Sequence, residues 1–139
     1  MTRRFLTVAL VLAVMALGGV QASAGGARSK LPFKATLSAP THRPKVNVKW
    51  YYTVRVTSLR GAAISARITV QIRDPLGTLH PVLYANTKRK LVDWPIEGRF
   101  RDFVIWPRSS AIGISLSLRV TVRALDRSTV LTYTVTPRG

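Results

Sequence analysis

The sequence predicts an all-β protein, a single antiparallel β-sandwich of about seven strands. Several stretches, such as residues 50–56 and 64–72, alternate apolar and polar side chains, which is typical of strands with one buried face and one wet face. Turn residues separate these stretches at sandwich-like intervals, and no helical periodicity interrupts them. A closed barrel stays open as an alternative, because an alternating pattern does not fix closure.

The strand predicted from Lys49 to Thr57 organises the rest of the chain. Its inner face carries Trp50, Tyr52, Val54 and Val56, and its outer face carries Tyr51, Thr53, Arg55 and Thr57. Aromatic side chains bury the largest area, and β-branched valines suit a pleated surface. We therefore expect this strand to form the centre of the core.

The remaining strands are predicted from the same alternation. They cover residues 33–39, 64–72, 79–84, 91–96, 97–106, 112–122 and 131–135. Pro81 confines its strand to a sheet edge, because proline donates no ladder hydrogen bond. Pro40 and Pro44 indicate a bend or an edge crossing, and the run Asp74-Pro75-Leu76-Gly77 is typical of a type I turn. Asp126-Arg127 indicates the last tight turn.

The strand at residues 97–106 contains an apparent conflict. Asp102 has the same parity as Phe100, Val104 and Trp106, which places an acid among apolar side chains. A β-bulge shifts the facing of a strand by one residue. The sequence therefore predicts a bulge near Asp102.

Residues 1–24 are predicted to be a secretory signal peptide. Arg3 and Arg4 precede an apolar run from Phe5 to Val20, and the cleavage pattern follows at Ala22 and Ala24. A membrane anchor is the alternative, but the run is shorter than the ~20 residues of a span. We expect export with cleavage, then a flexible lead-in at 25–32 and a sandwich domain at 33–139. The expected location is secreted or extracytoplasmic, with no membrane span after cleavage.

Composition limits the chemistry of the chain. With 139 residues it is long enough for one domain, and 47% hydrophobic residues suffice for a core. Cysteine is absent, which excludes disulfides, thiolate metal sites and thiol nucleophiles. Lys and Arg number 22 against five acids, a formal charge of +17; losing Arg3 and Arg4 with the signal peptide leaves +15. Such an excess bears on partners and solubility.

No catalytic or metal-binding pattern emerges. His42 and His80 are the only histidines, each lies beside proline-containing loop sequence, and no Gly-x-Ser-x-Gly elbow is present. Asp74 has no metal-ligand spacing to either histidine, and the presence of only five acids argues against a carboxylate-pair hydrolase. We predict a protein that is not an enzyme and has no metal and no cofactor.

Basic residues are the strongest chemical signal. Four arginines are predicted to point outward from two long strands: Arg67, Arg73, Arg119 and Arg123. The triplet Lys88-Arg89-Lys90 adds a loop patch. The guanidinium fork suits phosphate, sulfate or carboxylate, so these residues are candidates for anion binding. The alternative is a solvated basic surface whose arginines guard sheet edges.

Residues 33–138 resemble the immunoglobulin-like or fibronectin type III-like sandwiches of exported bacterial proteins. The resemblance rests on Trp50-x-Tyr52-x-Val54-x-Val56, the Gly61 turn, Ile68-x-Val70-x-Ile72 with Asp74-Pro75-x-Gly77, and the hairpin around Asp126. A cysteine pair and a tyrosine corner are missing. The resemblance implies an adhesion, spacer or recognition module. It also implies that the two strands carrying the four arginines lie in the same sheet, where the arginines would form one cationic face.

Two functions are therefore carried forward. The first is a non-enzymatic extracytoplasmic module that contacts the cell envelope or another secreted protein. The alternative is a polyanion-binding secreted protein, with an anionic cell-wall polymer, an acidic polysaccharide or extracellular nucleic acid as partner. Sequence-specific DNA recognition is not expected, because few aromatic residues are placed for it; Tyr51, Tyr84, Trp94 and Phe103 are the candidates. The ligand and the oligomeric state stay open.

Overall fold

This computed structural model describes residues 30–139, which contain eight strands. They are β1 (Phe33–Ser38), β2 (Lys49–Ser58), β3 (Ser65–Arg73), β4 (Leu79–Pro81), β5 (Trp94–Glu97), β6 (Arg99–Ile105), β7 (Leu116–Ala124) and β8 (Arg127–Val135). A 3-10 turn (Tyr84–Asn86) follows β4, and the short helix α1 (Arg108–Ala111) follows β6. The predicted signal peptide, with Ala22 and Ala24, lies outside the described residues.

The strands form two antiparallel sheets, which confirms the predicted all-β sandwich. One sheet has the order β1-β2-β6, and the other places β3 beside β7 and β7 beside β8. The edge of β3 opposite β7 pairs with two short strands. The first residues of β3 pair with β5, and its last residues pair with β4. A single residue pair, Glu97 with Arg99, joins the sheets around Gly98. Residues Leu31–Gly139 form one compact unit.

The core lies between the sheets and begins with the predicted inner face of β2. Trp50, Tyr52, Val54 and Val56 are all buried, as the alternation of the sequence predicts. The facing sheet contributes the inner residues of β3 and β7, which are Ala66, Ile68, Val70, Leu118, Val120 and Val122. Because the two longest alternating segments face β2, most of the apolar area is buried in one layer.

The bulge predicted near Asp102 is wrong. β2 and β6 pair without interruption from Lys49–Ile105 to Arg55–Arg99. The side chain of Asp102 instead points into the protein interior, where the residue is 4% exposed. Its two carboxylate oxygens accept hydrogen bonds from the Ala85 N–H at 3.2 and 3.0 Å. A buried acid is tolerated here because a backbone donor satisfies it.

The segment containing Pro40 and Pro44 crosses from one sheet to the other, as predicted. After β1 it runs parallel to the end of β8, with backbone hydrogen bonds from Thr136 to His42 (2.8 Å), from Arg138 to Pro44 (2.9 Å) and from Val46 to Arg138 (2.9 Å). The indole N–H of Trp50 donates to the Thr41 carbonyl oxygen at 3.0 Å. The crossing therefore covers the β8 edge beside the core.

Two turns hold their strands through local chemistry. In the predicted turn at Asp74, the Gly77 N–H donates to the Asp74 carbonyl oxygen at 3.0 Å, and the side chain accepts from the Leu76 and Thr78 N–H groups. The β7–β8 hairpin turns at Leu125 and Asp126, whose φ angles are 49° and 59°. Two positive φ angles define a type I′ turn, whose twist matches that of the strands.

We expect Tyr52→Phe to raise the free energy of unfolding by about 1 kcal/mol at neutral pH. The Tyr52 hydroxyl is buried and has no hydrogen-bond partner among residues 30–139. Removing an unpaired buried polar group removes its desolvation penalty. Denaturant unfolding of both forms measures the change. A clear loss of stability would mean that the hydroxyl is hydrogen-bonded in the folded protein.

The same residue predicts a loss of stability in alkali. Burial, assisted by the nearby Asp102 carboxylate, raises the pKa of Tyr52 well above its ordinary value. The unfolded chain therefore releases this proton near pH 10 while the folded chain keeps it, so stability falls as pH rises above about 10. Tyr52→Phe should remove that part of the slope. An unchanged slope above pH 10 would contradict this account.

Candidate functional site: anion-binding surfaces

The four predicted arginines lie on one outer face, because β3 and β7 are adjacent. Arg67 is directly opposite Arg123, Arg119 is opposite Gln71, and Arg73 is opposite Ser117. Arg67, Arg73 and Arg123 are exposed, whereas Arg119 is half-buried. We call this group the four-arginine face. Alternation predicts that each arginine points outward, and the pairing of β3 with β7 brings the four together. Their binding of anions stays a prediction.

An acid from a neighbouring loop already occupies part of the four-arginine face. The Nη1 of Arg67 lies 3.0 Å from the Asp93 carbonyl oxygen and 3.5 Å from its Oδ2. The Nη1 of Arg123 lies 3.9 Å from Asp93 Oδ1. The Asp93 N–H in turn donates to Thr69 Oγ1 at 3.0 Å. Exposed ion pairs contribute little stability, but this carboxylate offsets charge where an anion would bind.

The predicted triplet Lys88-Arg89-Lys90 forms a separate exposed loop. The guanidinium of Arg89 lies 4.6 Å from the ring centre of Trp94, and Trp94 stacks on Tyr84 at 4.8 Å. Among residues 30–139, no hydrogen bond, ion pair or ring contact connects the triplet to the four-arginine face. Within the described residues the two predicted groups therefore make no direct contact with each other.

A second basic surface, which sequence reasoning did not assemble, covers the outer side of the β1-β2-β6 sheet. We call it the cationic–aromatic face; its residues are Lys34, Lys49, Tyr51, Arg55, Arg99, Arg101 and Phe103. The register of β2 and β6 places Tyr51 opposite Phe103 and Arg55 opposite Arg99. Five cations and two aromatic rings thus lie on one sheet surface.

The rings and cations of the cationic–aromatic face contact one another in a row. The Arg101 guanidinium lies 4.1 Å from the ring centre of Tyr51, and the Lys49 ammonium lies 4.7 Å from that of Phe103. The two rings meet edge to face at 5.7 Å. Cation–π contacts at exposed sites are individually weak, about 0.5–1 kcal/mol, and they favour conformers in which the cations lie over the rings.

The two histidines take part in local structure. His42 stacks on Tyr133 at 4.0 Å, and its Nδ1–H donates to the Thr134 carbonyl oxygen at 2.6 Å. His80 Nε2 lies 2.9 Å from Asp74 Oδ2, and this hydrogen bond lowers the pKa of the Asp74 carboxyl below its ordinary value. Within residues 30–139, no group of three or more histidine or acidic side chains is arranged to hold a metal ion.

An apolar cavity of about 480 Å³ opens at one end of the sandwich. Its lining includes Trp106, Ala111, Ile114 and Leu116, with the Asp74–His80 pair at its polar side. Leu76, which also lines the cavity, is 92% exposed.

Among the helices of residues 30–139, none is long and apolar enough to span a bilayer.

Comparisons with known proteins add little to this geometry. No protein-family model matches the chain, and no curated protein matches it. Among three matching solved chains is the crystal structure of a domain of the outer membrane lipoprotein Omp28 from Porphyromonas gingivalis. The identity is 14% and the TM-score is 0.41, over 78% of this chain and 100% of that domain. A similarity as low as this carries no inference about function.

Proposed function

We propose that the protein is an extracytoplasmic, non-enzymatic β-sandwich module that binds anionic polymers of the cell envelope. The observation that carries this proposal is that most of the five acidic side chains already have partners within the fold. Four have partners inside the fold: Asp74 with His80, Asp93 with Arg67 and Arg123, Glu97 with the Ser65 hydroxyl, and Asp102 with the Ala85 N–H. Most cations therefore lie on outer surfaces without compensating acids.

The strand order supports the immunoglobulin-like part of the proposal. In such sandwiches, strands A, B and E form one sheet and strands C, F and G form the other. Here β1, β2 and β6 take the first set of positions and β3, β7 and β8 take the second, with β4 and β5 as short strands between. Modules of this architecture commonly present a sheet face or loops for recognition, although fold alone does not define a ligand.

The predicted signal peptide supports the location. Export with cleavage after Ala24 brings a chain of formal charge +15 to the envelope, where such an excess attracts any acidic polymer. Long-range attraction of this kind acts within a Debye length of ~10 Å at 0.1 M salt and weakens as salt rises. The proposed binding is therefore electrostatic in the first instance.

Cosedimentation with isolated cell envelopes across a salt series tests this proposal. The protein without residues 1–24 retains the whole described sandwich and is the form to use. We expect strong retention at low salt that falls steeply as salt rises, because counterions are released when a polyanion is bound. Retention that is independent of salt would contradict electrostatic binding, and no retention at any salt would contradict envelope binding.

A second candidate is a module that contacts another secreted protein. The apolar cavity beside Leu76 favours it, because a leucine that is 92% exposed next to an apolar concavity is a typical feature of contact surfaces. Salt-independent retention on envelopes, lost on Leu76→Asp, would support this candidate. The same substitution should leave salt-dependent retention unchanged if binding is electrostatic.

A further inference from the structure

We propose that the cationic–aromatic face, and not the four-arginine face, is the polymer-binding site, and that its ligand is a linear acidic polysaccharide. This inference rests on the proposed function and names its site and its ligand class. It follows from five features of the outer side of the β1-β2-β6 sheet: uncompensated charge, regularly spaced cations, cations placed over rings, an adjacent depression and covered ring faces.

Charge separates the two candidate faces. Among residues 30–139, no ion pair involves Arg55, Arg99 or Arg101, and the outward positions of β1, β2 and β6 contain no acid. On the four-arginine face, Asp93 approaches both Arg67 and Arg123. An anion must compete with that carboxylate on one face but not on the other. The cationic–aromatic face is therefore the stronger anion site.

The spacing of the cations suits a chain of anions. Arg99 and Arg101 are two residues apart on β6 and share its outer face, so their Cα atoms lie about 6.6–6.8 Å apart. Arg55 lies directly across from Arg99 on β2, and Lys49 lies further along the same strand. Cations at regular intervals along paired strands bind several charges of a linear polymer together, which a free ion cannot exploit.

Two of the cations are held in place before ligand binding. Arg101 rests on Tyr51 and Lys49 rests on Phe103, at 4.1 and 4.7 Å from the ring centres. Long side chains lose conformational entropy when a ligand fixes them, and prior ordering reduces that loss. The aromatic rings thus act mainly as supports for the charged groups. The guanidinium of Arg101 can still offer its N–H groups for bidentate contact with a carboxylate.

A depression of about 310 Å³ adjoins Arg101 and Tyr51. Its lining consists of Ser38, Ala39, Pro40, Tyr51, Thr53 and Arg101. This set combines three hydroxyl groups, apolar ring surfaces and one guanidinium, and the depression is large enough for a single sugar ring. A uronic acid residue would place its hydroxyl groups against Ser38 and Thr53 and its carboxylate against Arg101.

The covered ring faces favour a polysaccharide over single-stranded nucleic acid. Proteins that bind single strands stack successive bases on open aromatic faces. Here Arg101 covers one face of Tyr51 and Lys49 covers one face of Phe103, while the two rings meet edge to face. Binding at this surface therefore depends on the charged groups of the ligand and not on base stacking.

Binding of polygalacturonate, which carries one carboxylate on each sugar, tests the inference. The triple variant Arg55→Gln, Arg99→Gln, Arg101→Gln is compared with the matched variant Arg67→Gln, Arg119→Gln, Arg123→Gln. Both lose three positive charges. We expect the first to weaken binding at ~50 mM salt by at least about tenfold and the second by less than about threefold. Thermal unfolding of each variant checks its fold.

The first variant should fold, because Arg55 and Arg99 are like charges in directly opposed positions and their removal relieves repulsion. If it does not fold, the double variant Arg55→Gln, Arg99→Gln takes its place. Equal weakening by both triple variants would overturn the site while leaving the proposed function standing. Tighter binding of oligothymidylate than of polygalacturonate at equal salt would overturn the ligand class. Failure of the unmodified protein to bind envelopes would overturn the proposed function itself.

Discussion

Replacing Trp50 by alanine is expected to lower the free energy of unfolding by about 3–5 kcal/mol. Trp50 is 4% exposed, and its ring contacts Trp106 at 5.5 Å and Tyr133 at 5.7 Å. Its indole N–H also satisfies the Thr41 carbonyl oxygen of the crossing segment at 3.0 Å. The substitution therefore leaves a cavity between the sheets and an unpaired carbonyl group. Urea unfolding, followed by circular dichroism, measures the loss.

Trp94→Ala is the matched control for Trp50→Ala. Trp94 is half-buried at the margin of the core, where it stacks on Tyr84 and carries Arg89 on its ring. A residue that is already partly wet loses less on truncation, so we expect about half the effect. A loss below 1 kcal/mol for Trp50→Ala would show that β2 faces the other way, because a shift of one residue exchanges the two faces.

Gly98→Ala is expected to destabilise the protein by about 2–5 kcal/mol, through backbone strain and overpacking together. Gly98 has a φ of +74° at the only link between β5 and β6 in the described sheets. A Cβ at this position would lie 2.4 Å from the Cβ of Ala63 and 3.1 Å from its Cα. The Gly98 N–H and carbonyl also bond Ile64 and Val56, so the backbone has little freedom to move. Denaturant unfolding measures the change.

Two further variants separate strain from the clash. Gly113 has a φ of +73° and nothing within 4 Å of an added Cβ, so Gly113→Ala should show the strain alone, about 1–2 kcal/mol. Adding Ala63→Gly to Gly98→Ala removes the clashing methyl group and should recover part of the loss. Equal effects of Gly98→Ala and Gly113→Ala would show that the close approach to Ala63 is absent in solution.

The fold was predictable because the sequence of each central strand shows by itself which side chains are buried. β2, β3 and β7 each alternate cleanly, and period-2 alternation indicates directly which face is buried. The β3–β7 adjacency that assembles the four-arginine face followed from the resemblance to immunoglobulin-like sandwiches. The turn at Asp74 was predictable from its residue types alone, with Asp74 at the first position and Gly77 at the fourth. The sequence also separates residues 91–96 from residues 97–106, but its pattern does not reveal the positive φ of Gly98, which lies between β5 and β6.

The candidate site was only partly predictable, because it depends on pairing between distant segments. Alternation correctly predicts the outer face of β2. The bulge predicted in β6 is wrong, and it would have exchanged the inner and outer side chains over part of that strand. The uninterrupted register with β2 brings Phe103 beside Tyr51 and Arg99 beside Arg55. The buried position of Asp102 depends on Ala85, which is 17 residues away. Likewise, nothing local to Arg67 signals that Asp93 lies against it.

Chemical-shift mapping during titration with an oligogalacturonate tests the central claim most directly, because it reports which face binds. We predict that backbone amide signals of β2 and β6 around Tyr51, Arg99 and Arg101 move progressively, and that the movement disappears at high salt. Signals around Arg67 and Arg123 should stay in place. Shifts confined to β3 and β7, or no shifts at low salt, would contradict the assignment of the cationic–aromatic face as the polymer-binding site.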